Sequence, residues 1–90
     1  MSDAETTGAG GAEHATAVLT HMTRSLVDHP DEVNVDVVDL DDRLELNVSV
    51  ADGDMGRVIG KRGRMANAIR VVTRAAAVRD GVEVDIEFVD

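Results

Sequence analysis

The sequence predicts an α+β fold: a two-layer sandwich in which three helices cover one face of a three-stranded sheet, in the order α-β-β-α-α-β. Three observations predict it. Apolar residues recur with a helical period before Pro30, and with a period of two from Val33 to Val50. The helical period returns after Gly63, and the two-residue period returns after Gly81. All three alternating runs carry polar residues on their other side, so one sheet face is buried and one is wet.

Each element follows from its residues. Residues 1–11 are small, polar and acidic without periodicity and read as a disordered tail, leaving residues 12–90 as one domain. Ala15, Val18, Leu19, Met22 and Leu26 then form one helical stripe. That helix should stop near Asp28, because the residues before Pro30 are pushed out of helical geometry. Val33, Val35 and Val37 alternate with Asn34 and Asp36 as a first strand. Leu44, Leu46, Val48 and Val50 form a second, and the acidic turn Asp39–Asp42 makes the two a hairpin. Asp52 or Asp54 can cap a short helix over Met55–Ile59. After Gly60-Lys61-Arg62-Gly63 comes a longer helix, with Met65, Ala68, Ile69, Val72, Ala75 and Ala76 on one face and Asn67, Arg70 and Arg74 opposite. Gly81 stops it, and Val82, Val84, Ile86 and Phe88 alternate as the third strand.

Composition narrows the chemistry. There is no cysteine, which excludes disulfides and thiolate catalysis. No apolar run reaches a membrane span and the N-terminus has no signal-peptide pattern, so the expected location is cytoplasmic, with no membrane partner. His14, His21 and His29 lack a third ligand, so no metal or other cofactor is expected. The acidic run Asp36, Asp39, Asp41, Asp42 lacks the glycine and terminal glutamate of a calcium loop and reads as a solvated turn. Ser25 and Ser49 have no evident base. No catalytic constellation emerges, and the chain is not expected to be an enzyme.

Charge is segregated. The net charge is −9, yet residues 57–79 contain seven bases and no acid. Such asymmetry points to an anionic partner. At its centre lies Val58-Ile59-Gly60-Lys61-Arg62-Gly63-Arg64, a glycine-bounded turn carrying two cations and opening a helix. Glycines permit an unusual backbone and a close approach, while a helix N-terminus favours anions. The spacing is not that of a P-loop: Gly56 precedes Gly60 by four positions, and Arg62 stands where a Ser or Thr would bind magnesium. Gly56, Gly60 and Gly63 also miss the dinucleotide fingerprint.

The stretch GRVIGKRGRMANAIRVVTRAAA, residues 56–77, resembles the core of a KH domain. Val58-Ile59-Gly60-Lys61-Arg62-Gly63 matches the family's aliphatic-Ile-Gly-x-x-Gly run, and Ile69 matches an apolar position on the following helix. The leading helix and strand are similar to the type II arrangement, and a chain of this size resembles the small bacterial KH RNA-binding proteins of the KhpA family. The resemblance implies that the loop clamps the backbone of about four nucleotides of single-stranded RNA. It implies close approach at Gly60 and Gly63, phosphate neutralisation by Lys61 and Arg62, and flanking cations at Arg57 and Arg64. Ile59 and Ile69 would form the groove or its floor, and the second strand, Leu44–Val50, would meet bases. Met65 and Asn67 stand where relatives often carry lysine or a small polar residue, which implies weak, short and poorly selective binding by one copy. The resemblance further implies a role in post-transcriptional or ribosome-related RNA handling, and self-association or pairing with a second, KhpB-like KH protein. The alternative is a protein-interaction domain of KH shape with little RNA affinity. Base-stacking folds rich in aromatics are disfavoured, because Phe88 is the chain's one aromatic residue and is expected in the core.

Overall fold

The computed structural model describes residues 11–89. The expected disordered tail, apart from Gly11, lies outside the described residues. Three α-helices and three strands follow in the predicted order: α1 (Glu13–Leu26), β1 (Asn34–Asp39), β2 (Leu44–Ser49), α2 (Met55–Ile59), α3 (Arg64–Asp80) and β3 (Val84–Phe88). Short 3-10 turns at Pro30–Glu32 and Lys61–Gly63 lead into β1 and α3.

The sheet order is β1-β2-β3. β1 and β2 form the antiparallel hairpin, with Val37 opposite Leu46. Its turn closes by a bond from the Leu40 N–H to the Arg43 carbonyl, and the Asp39 carboxylate accepts from the Asp41 N–H. β3 runs parallel to β2, with Leu46 beside Ile86. β2 is therefore central, with backbone partners on both sides. Its Leu44, Leu46 and Val48 are buried with Val84 and Ile86, and Ala15, Leu19, Val58, Ile69 and Ala77 from the helices complete the core. β1 is less buried than its alternation suggests. Val35 and Val37 are only half-buried, because the strand sits at the sheet's edge.

Two expectations are corrected here. The buried stripe of α3 is Ala66, Ile69, Thr73 and Ala77. Met65 and Val72 from the expected face are exposed, as are Ala68 and Ala75. α3 thus meets its neighbours through three small residues and one large one, Ile69, and Met65 and Val72 lie outside that buried stripe. Facing them, α1 buries Ala15, Leu19 and Thr23. Phe88 is also not a core residue. It is partly buried at the margin, and the guanidinium of Arg70 lies 5.2 Å from its ring centre.

Two buried carboxylates hold the two ends of α1. Ala12 precedes α1 without capping it; instead Asp80, at the far end of α3, accepts the N–H groups of His14 and Ala15 at 3.0 Å each. The His14 ring adds a 2.6 Å contact from its Nδ1. Burial pushes the Asp80 carboxyl up, but these donors outweigh burial and leave it below its usual value. Asp52 or Asp54 was expected to cap α2, and no side chain caps it. Asp54 turns to the α1–β1 connection and accepts the His29 N–H at 3.0 Å, with the His29 Nδ1 at 3.1 Å. Among the described residues no helix is long and apolar enough to cross a membrane.

Candidate nucleic-acid interface

The turn between α2 and α3 has a backbone that only its sequence permits. α2 ends as the Gly60 N–H returns to the Gly56 carbonyl. Gly60 then adopts φ 73° and ψ −179°, a region essentially confined to glycine. A Cβ at Gly60 would meet the Met65 Cβ at 2.8 Å and its backbone nitrogen at 3.2 Å. Gly63 is left-handed, with φ 73° and ψ 13°, and the space around it is open. The two glycines thus serve differently: Gly60 lets the turn fold against α3, and Gly63 leaves a bare surface at the helix start.

Between them, Arg62 is also left-handed, with φ 56° and ψ 25°. For a residue with a β-carbon this conformation costs on the order of 1–2 kcal/mol. The strain falls on an exposed cation inside the turn, and nothing in the residue pattern announces it.

The electrostatics are one-sided. Lys61, Arg62 and Arg64 are exposed and have no ion-pair partner among the described residues. The first turn of α3 carries no acid, and Gly63 offers no side chain to cap it. The positive end of a 17-residue helix therefore opens beside three exposed cations. Arg57 is exposed too, but its Nη2 lies 3.2 Å from the Asp28 carboxylate. It is partly neutralised on the side facing the α1–β1 connection.

The apolar residues divide. Ile59 is half-buried at the end of α2. Ile69 is 2 % exposed and packs in the core beneath α3. The strand assignment is corrected as well. β2 is paired on both sides, so its backbone offers no free edge, and its apolar side chains are buried under the helices. β1 and β3 are the edge strands, and of the two it is β3 that packs beside α3. Sequence reasoning missed Arg70, whose Nε donates to the Ile86 carbonyl at 3.2 Å and whose Nη1 donates to Asn67 Oδ1 at 3.3 Å. The sequence places it with Asn67 and Arg74 opposite the apolar face of α3, as one of two mutually repelling cations four residues apart.

A glycine-bounded turn joining two helices, laid over a mixed three-stranded sheet in the order α-β-β-α-α-β, defines a KH domain of the type II arrangement. The model of the KhpA/KhpB KH domain matches residues 16–88. The chain belongs to that family. A protein of Clostridium acetobutylicum named RNA-binding protein KhpA is 47 % identical over 72 residues, covering 80 % of this chain and 96 % of the relative. The Bacillus subtilis protein of the same name is 40 % identical over 78 residues, covering 87 % and 96 %. That of Chlamydia muridarum is 38 % identical over 72 residues, covering 80 % and 92 %.

Proposed function

We propose that residues 12–90 form one RNA-binding domain that grips the backbone of a short single-stranded RNA with the Gly60–Gly63 turn. The observation that carries this reading is the meeting of three features at one point: a bare left-handed glycine, an uncapped helix N-terminus and exposed Lys61, Arg62 and Arg64. Phosphates lie against Gly63 and the first turn of α3, and the three cations neutralise them. The names of the relatives support the same ligand class. The protein works without catalysis, in the cytoplasm, in post-transcriptional or ribosome-related RNA handling. One domain offers little contact area, so a second KH domain, from another copy or a KhpB-like protein, adds grip through avidity. Exposed Met65 and Val72, beside the half-buried Met22 and Leu26, support such pairing.

The test compares the wild type with a Lys61→Asp, Arg62→Asp double variant, after circular dichroism shows both folded. Fluorescence anisotropy of a labelled random pool of single-stranded RNA heptamers reads binding. Salt-sensitive binding by the wild type, lost in the variant, is the expected result. Equal binding by both, or none by the folded wild type, would overturn the reading in favour of a protein-interaction role.

A further inference from the structure

Arg70 is placed and held as no solvated helix residue needs to be. Its guanidinium lies 5.2 Å from the centre of the Phe88 ring. Nε donates to the Ile86 carbonyl and Nη1 donates to Asn67 Oδ1. The side chain is half-buried, and Nη2 has no hydrogen-bond partner among the described residues. A long flexible cation has thus been fixed by three contacts into one orientation. Surface arginines lose substantial rotamer freedom when so ordered, and an exposed one has no reason to be.

The position is equally specific. Asn67, Arg70 and Arg74 follow a spacing of three and four, which lines them along one face of α3, and Asn67 stands four residues after Gly63, the residue that precedes the helix. Seven residues separate Gly63 from Arg70, a rise of about 10.5 Å along the helix. The stripe begins at the bare glycine of the turn and descends beside β3, an edge strand. Backbone bonds from Glu83 and Val89 go to β2, so the alternate residue Ile86 directs its carbonyl outward from the sheet, where Arg70 covers it. A nucleotide chain whose phosphate rests at Gly63 would bring a neighbouring base over this spot.

The chain contains one Phe and no Tyr or Trp. Bases stack on guanidinium planes as well as on aromatic rings. We infer that Arg70, braced by Phe88, the Ile86 carbonyl and Asn67, is a base-stacking platform of the groove between α3 and β3. This rests on the RNA-binding reading above and assigns it a residue that contacts a base rather than a phosphate. The planar cation serves in place of the missing aromatic. It also blocks the Ile86 carbonyl as an acceptor and presents the Nη2 hydrogens at its rim, so the adjoining base edge is met by donors.

The test uses the full chain, labelled with nitrogen-15, and three RNA tetramers, rA4, rC4 and rU4, followed by NMR. The Arg70 Nε–Hε resonance reports the platform, and the amides of Lys61–Arg64 report the turn. Both should move on titration. Arg70→Lys keeps the charge and loses the plane. It should bind rA4 roughly tenfold more weakly and rU4 only about threefold, since stacking scales with base size. The RNA's own stacking is common to both proteins and cancels in that comparison. Phe88→Leu keeps the apolar volume, frees the guanidinium and should change binding in the same direction. Movement at the turn with a still Arg70 resonance, or wild-type affinity and base preference in Arg70→Lys, would overturn the platform alone. Tighter binding by Arg70→Lys would overturn it too, by making Arg70 a plug. Absence of any shift in the wild type with all three tetramers would overturn the RNA reading and the platform with it.

Discussion

Alanine at Gly60 and at Gly63 should have unequal effects, and the structure says why. At Gly60 the backbone region is closed to alanine, a cost of about 1–3 kcal/mol. The new Cβ would also sit 2.8 Å from the Met65 Cβ and 3.2 Å from its backbone nitrogen. Met65 is the second residue of α3, so relief requires moving a helix start rather than swinging a side chain. Overpacking of this kind adds about 1–3 kcal/mol. Alanine's smaller freedom in the unfolded chain returns about 0.4–1 kcal/mol. The expected net loss is about 2–5 kcal/mol. At Gly63 nothing lies within 4 Å of the added Cβ, and only the left-handed φ of 73° is penalised. The same gain offsets a cost of about 1–2 kcal/mol, leaving a net loss of about 1. In a chain of this size 1 kcal/mol moves Tm by about 4–8 °C. Thermal and urea unfolding followed by circular dichroism should therefore separate Gly60→Ala from Gly63→Ala by about 10 °C or more. Gly63→Ala should nonetheless bind RNA poorly, because its methyl group stands on the surface that the phosphates approach. Equal destabilisation, or a larger effect at Gly63, would refute the division of labour between the two glycines.

Thr73 is fully buried on α3, and its hydroxyl has no hydrogen-bond partner. Thr73→Val should raise stability by about 1 kcal/mol, read as a higher urea midpoint, because it removes an unsatisfied polar atom at nearly constant shape. Stability should also depend on pH through the tethers of α1. His29 is raised above 6.5 by its hydrogen bond and charge pairing with Asp54, so its contribution is complete below pH 6.5 and is lost as pH rises through the raised value. Asp54 is pushed up by burial and pulled further down by His29, and both Asp54 and Asp80 end below 3.8. Their contributions are present above pH 3.8 and are lost as pH falls through the lowered values. Urea midpoints measured against pH should peak between these limits, and His29→Gln should flatten the alkaline flank.

Legibility in the sequence followed the range of the interaction. Helices and strands could be read because their periods are local, and the Gly60–Gly63 turn because its glycines and cations are contiguous. The hairpin followed from a short acidic turn, but the parallel pairing of β3 with β2 had no local signature. Contacts between distant residues stayed hidden. Asp80 caps a helix that begins 67 positions earlier in the chain, at Glu13. Asp54 was read, with Asp52, as a candidate cap because it stands before a helix, and the nearby connection after α1 claimed its carboxylate instead. The buried face of α3 was misjudged because hydrophobicity favoured Met65 and Val72, whereas close helix packing favoured Ala66, Thr73 and Ala77. Arg70 was legible only as a residue of the polar face of α3, because its spacing to Arg74 says nothing about an edge strand sixteen residues on.

A net charge of −9 opposes the holding of RNA, and distance resolves the conflict. The acidic residues Asp39, Asp41, Asp42 and Glu83 gather at the C-terminal end of α3, and the cationic turn opens its N-terminal end. Seventeen residues of helix separate the two by about 25 Å. At 0.15 M salt the screening length is about 8 Å, so the turn lies about three screening lengths from the acidic end. At 0.01 M the screening length is about 30 Å, and the whole acidic body repels the RNA. Lys61, Arg62 and Arg64 together release about three counterions, which gives a slope of log affinity against log salt of about −2 for a single strand. From 50 to 200 mM the affinity should fall roughly 20-fold on that slope. Below about 30 mM the curve should bend over, because the gain at the turn is opposed by repulsion from the rest of the chain. Anisotropy titrations from 10 to 300 mM salt measure this directly. A straight line of slope −2 or steeper down to 10 mM would mean that the turn's cations feel nothing of the acidic end. In that case the segregation of charge along α3 would not govern binding. A bent curve would mean that this protein is tuned to hold RNA best at intermediate salt, with the acidic body limiting attraction that the turn alone would leave unchecked.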